Sequence, residues 1–97
     1  MMHRIAITYY YEREYAKSAE ASLRCLARYP GAVATYRWLA AALGQLGRME
    51  EARAALHKHL ELSPRLFELY TRRRPPWHRP EDYEHMLDGL RKAGWQG

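Results

Sequence analysis

Cysteine occurs once in the ninety-seven residues, at Cys25, so no internal disulfide can form and a small fold stapled for an oxidising compartment is excluded. Long apolar runs are also missing. The longest near-apolar stretch, Trp38-Leu39-Ala40-Ala41-Ala42-Leu43, falls far short of the ~18–20 residues a helix needs to cross a bilayer. The amino end, Met1-Met2-His3-Arg4-Ile5-Ala6, passes directly into periodic sequence, without the apolar core and small-residue cleavage site of a secretory signal. A cytoplasmic location with no membrane span is therefore expected. There is no Ser-His-Asp arrangement and no glycine-rich phosphate loop. Cys25 falls on an apolar stripe with Tyr15, Ser22 and Leu26, where a small buried thiol is ordinary. No intrinsic enzyme activity and no cofactor are expected.

A hydrophobic share of 47% and a charged share of 28% are enough to build a folded chain. The length allows a single small domain with one core. The net charge of +5 is unevenly spread. Arg65, Arg72, Arg73, Arg74 and Arg79 crowd into one short stretch opposed only by Glu68, which makes a local basic patch.

A shift of 34 residues places Ile5 on Leu39, Ala6 on Ala40, Tyr9 on Leu43, Tyr15 on Met49, Ala21 on Ala55, Leu26 on Leu60 and Pro30 on Pro64. Large residues match large ones, small match small, and a proline closes each block. Tyr36, Leu39, Ala40 and Leu43 recur at helical spacing; Gly47 supplies the stop, and Met49, Ala52, Leu56 and Leu60 start a second stripe at once. So short a connection predicts an antiparallel helix pair. Ser63-Pro64 is a helix start, serine as cap and proline in the first turn. Leu66, Leu69 and Tyr70 give a short stripe that Pro75-Pro76 ends. A last helix is expected from about Pro80 to Ala93, with Tyr83, Met86, Leu87 and Leu90 on its apolar side.

The block from Tyr36 through Leu39-Ala40, Leu43, Leu46-Gly47-Arg48, Ala52, Leu56 and Leu60 to Pro64 resembles the tetratricopeptide repeat (TPR). His59 departs from it, standing where a small residue is usual, which predicts looser packing there. The first block resembles the motif more weakly, with Arg13 in the place of the glycine. The resemblance implies an all-α, right-handed α-solenoid of about six helices: a repeat over 2–30, another over 33–64, and a divergent closing helix pair over 65–94. Trp77 and Tyr83 are expected to seal its far end. The tail, from Arg73-Arg74-Pro75-Pro76-Trp77 to Gly94, is similar to the closing segment of TPR regions that follow bacterial class III adenylate/guanylate cyclase domains. It implies the C-terminal part of a larger signalling protein. The cyclase centre itself needs two well-separated metal-binding aspartates, whereas Asp82 and Asp88 are six residues apart on one expected helix.

In TPR proteins a concave surface binds a peptide or partner protein. Carried over residue by residue, that groove would hold His3, Ile7, Tyr10 and Tyr11, then Arg37, Ala41 and Gln45, then Thr71 and Arg72. The chain has no asparagine, so the Asn-plus-Lys carboxylate clamp of chaperone-binding TPR domains does not carry over. The expected role is protein–protein interaction, through the groove or by self-association. A first hairpin with nothing stacked before it would expose Ile5 and neighbouring tyrosines and favour a homodimer. The alternative is a regulatory or dimerisation appendage of a cyclase. A more remote alternative is nucleic acid held by Arg72, Arg73, Arg74 and Arg79 beside Trp77, although helix-end arginines account for that pattern on their own. Five histidines raise the question of a metal, but His57 and His59 point about 200° apart on a helix, and Glu81 with His85 supplies only two ligands.

Overall fold

A computed structural model of the chain describes the backbone of residues 2–96 and the side chains of residues 4–96. Every regular element among them is helical: α1 Met2–Tyr11, α2 Tyr15–Arg28, α3 Val33–Gln45, α4 Met49–Leu62, α5 Pro64–Arg72 and α6 Pro80–Lys92. No described helix is long and apolar enough to cross a membrane.

Each turn has a local cause. At the α3–α4 turn Gly47 takes φ 78°, where an L side chain would be strained. The equivalent place in the α1–α2 turn is Arg13, which holds φ 63° without being glycine. The two turns are built alike, and the first one keeps the strain that Gly47 avoids. Ser63 caps α5, its Oγ accepting from the Leu66 amide at 3.2 Å, with Pro64 next in line. Ala6 and its counterpart Ala40 are both fully buried, and Ser18 Oγ ties α2 to α1 by donating to the Ala6 carbonyl at 2.7 Å.

α3 is the central helix. Its residues from Arg37 to Gly44 are all buried, because α2, α4 and α6 pack around it. The packing of α6 departs from the expected closing pair: its principal partner is α3 rather than α5. Small residues explain the choice. A Cβ on Gly44 would run into the Gly89 carbonyl and come within 2.9 Å of the Ala93 amide. A Cβ on Gly89 would meet Tyr10 Oη and come within 2.8 Å of the Ala41 carbonyl. Gly44, Ala41, Gly89 and Ala93 thus let two helix backbones approach closely, while Met86, Leu87 and Leu90 fill the flanks. The Pro75-Pro76 segment carries the chain from the end of α5 back across the molecule, and Tyr83 Oη ties the start of α6 to α5 through the Thr71 carbonyl at 2.7 Å.

With α6 packed back on α3, the described residues span nearly equal dimensions of 29 × 28 × 26 Å. Their radius of gyration, 11.8 Å, is close to the ~12.5 Å expected for a compact domain of this length.

Candidate functional site

The residues assigned to one groove from the sequence divide into three groups. His3 lies outside the described side chains. Tyr10, Ala41 and Gln45 sit under α6. Tyr10 is fully buried; its hydroxyl donates to the His85 carbonyl at 2.5 Å and accepts from Gln45 Nε2 at 3.2 Å. Burial, the largest influence on it, pushes its pKa well above the usual tyrosine value. Gln45 Nε2 also reaches Asp88, and its Oε1 accepts from Lys92. Tyr10 and Ala41 are closed off from solvent and Gln45 is half-buried beside them; together they form the seam that holds the last helix.

Thr71 is buried as well, its hydroxyl bonded back to the Phe67 carbonyl at 2.8 Å. Arg72 is exposed and pairs with Glu68 one turn earlier, at 2.9 Å. Two more members of the basic patch, Arg79 and Arg74, are likewise held locally. Arg79 meets Asp82 at 2.9 Å, and Arg74 donates to the His78 carbonyl at 2.6 Å.

The third group, Ile7, Tyr11 and Arg37, stays together at a cleft of about 440 Å³ between α1, α3, α5 and the 73–79 segment. The other walls come from residues that the sequence had not assigned to a groove: Tyr70, Trp77, His78 and Asp82. Trp77 had been expected to seal the far end of the molecule. It is instead 78% exposed at the rim of this cleft.

Arg37 dominates the electrostatics of the cleft. The residue is only 6% exposed, and its Nε and Nη1 have no hydrogen-bond partner among the described residues. Its guanidinium lies over the Tyr70 ring at 4.8 Å and near the Trp38 ring at 5.8 Å. Burial outweighs the neighbouring tyrosines and pulls its pKa down to about 10, which still leaves it charged at neutral pH. Opposite it, Tyr11 Oη and His78 Nε2 are hydrogen-bonded at 2.5 Å. Burial holds the His78 pKa below its ordinary value, so the ring is neutral at pH 7, and raises Tyr11 to about 12.

A second buried titratable group lies behind α3. His59 is fully buried against Phe67, with ring centroids 5.2 Å apart, and neither ring nitrogen has a side-chain partner among the described residues. The looser packing expected at this position is not found. The imidazole fills the space a small residue would leave, as a neutral ring.

A second open surface lies at the far side of α1 and α2. Ile5 is half-exposed there and Tyr9 half-buried, beside a shallow recess bordered by Lys17, Glu20, Ala21 and Arg24. Lys17 Nζ stands 5.8 Å from the centre of the Tyr9 ring.

No grouping of three or more potential metal ligands occurs among the described residues. Comparison with protein families, curated proteins and solved structures finds no match to this chain.

Proposed function

We propose that this chain is a non-catalytic interaction module of the TPR kind, a short right-handed solenoid closed by its own last helix, which self-associates through the outer face of α1 and α2. The observation that carries the reading is the exposed Ile5 beside the half-buried Tyr9 on that face, at the edge of a shallow recess. With Tyr10, Ala41 and Gln45 under α6, support for a peptide groove along them falls away and moves to this end. The charges around the recess suit a two-fold contact. Lys17 and Arg24 flank Glu20, so a rotated copy can set each glutamate against a cation of its partner. A regulatory appendage that aligns a catalytic domain would use the same face.

The test is the solution mass by light scattering over a concentration series. The expected result is a dimer near twice 11.5 kDa that Ile5→Asp converts to monomers with unchanged helicity. A monomer throughout the series would overturn self-association.

A further inference from the structure

Among the described residues, the cleft beside α3 holds a charge that is buried without a counterion of its own. Arg37 is more than nine-tenths buried, and two of its guanidinium nitrogens have no acceptor. Tyr70 and Trp38 offer the guanidinium their ring faces, 4.8 and 5.8 Å from its central carbon. Ring faces attract the cation but supply no oxygen for its N–H bonds. Leaving such donors unmet is costly, so proteins normally pair them. The acid that shares the cleft, Asp82, is committed to Arg79 at 2.9 Å.

We propose that this cleft binds the carboxylate of a small aromatic acid, with Arg37 as the buried cation and Trp77 as the rim on which the ring stacks. The volume of about 440 Å³ falls within the range of small-molecule sites. Local charge selects the acid. Arg79 and Asp82 cancel and His78 is neutral at pH 7, which leaves one net positive charge, that of Arg37, to match a monoanion. A dianion would carry excess charge toward the Asp82 carboxylate. The walls select the body: Tyr11, Tyr70 and Trp77 present aromatic surface around the cation. The exposed indole of Trp77, which nothing in the packing of the fold requires, becomes a contact surface for the ligand.

The experiment is calorimetric titration of the full chain with phenylacetate at pH 7, beside its neutral isostere phenylacetamide and the dianion phenyl phosphate. Phenylacetate is expected to bind with a Kd of about 1 mM or below and at least tenfold more tightly than phenylacetamide. Arg37→Met should remove that tenfold preference while keeping the fold, since methionine fills much of the same space without a buried charge. Trp77→Ala, at an exposed position, is the second variant and should weaken phenylacetate several-fold whether or not Arg37→Met folds. Equal affinity for the acid and the amide would overturn the proposal, as would undiminished phenylacetate binding by a folded Arg37→Met. Tighter binding of phenyl phosphate than of phenylacetate would overturn the assignment to a monocarboxylate. No heat from any of the three up to about 10 mM would leave Arg37 with water alone and refute the site.

Discussion

Acidification should unfold this protein partly through one residue, His59, because its ring is fully buried and cannot take a proton cheaply. Burial lowers its pKa from 6.5 to about 4, outweighing the upward pull of backbone hydrogen bonding at His59 and Ser63, and the positive charge of Arg37 adds to the lowering. The unfolded chain binds this proton below about pH 6.5 and the folded chain only near pH 4, so stability is complete above pH 6.5 and falls as the pH drops between the two values. The loss is roughly 1 kcal/mol by about pH 5.5 and roughly 3 kcal/mol near pH 4. For a domain with ~5–10 kcal/mol in total, that is a large fraction. The assay is urea denaturation followed by circular dichroism at a series of pH values, comparing the native chain with His59→Leu. Leucine keeps most of the volume and removes the titration, so the two curves should converge above pH 7 and separate steadily below it. His78, His85 and Asp88 titrate in both proteins and cancel in the difference. Parallel curves from pH 7 to pH 4 would refute the reasoning, because the ring would then be protonated as easily inside the fold as outside it.

Two further expectations concern the backbone. Arg13→Gly should stabilise the chain by about 1 kcal/mol, since Arg13 holds a left-handed conformation that Gly47 occupies without strain in the matching turn; thermal melting checks it. Gly89→Ala should cost about 2 kcal/mol or more, because the new methyl group meets Tyr10 and the Ala41 backbone; a lower denaturation midpoint with faster amide exchange in α6 than in α2 would show that the last helix is the part loosened.

Helix positions were legible in the chain itself because their signals are local. Gly47 stops α3, Ser63-Pro64 starts α5 and Pro80 starts α6, each through the backbone chemistry of one or two residues. The match of Arg13 to Gly47 could also be read from the 34-residue register, and the two dihedral angles agree with it. Burial of Cys25 followed from its stripe.

Where those helices went could not be read the same way. An apolar stripe says that a face must be covered without saying by what, so Met86, Leu87 and Leu90 fitted α5 as well as α3. The choice depends on Gly44 and Gly89, forty-five residues apart, whose missing side chains matter only once the two backbones are side by side. That contact buries Tyr10 and Ala41 and engages Gln45 in hydrogen bonds, where a helix-by-helix reading leaves all three in the open. The same fold-back swings Trp77 to the rim of the Arg37 cleft and brings His78 to Tyr11, sixty-seven residues earlier in the chain. The identity of the helices is a property of neighbouring residues, whereas the cleft is a property of distant ones brought together, and only packing brings them there.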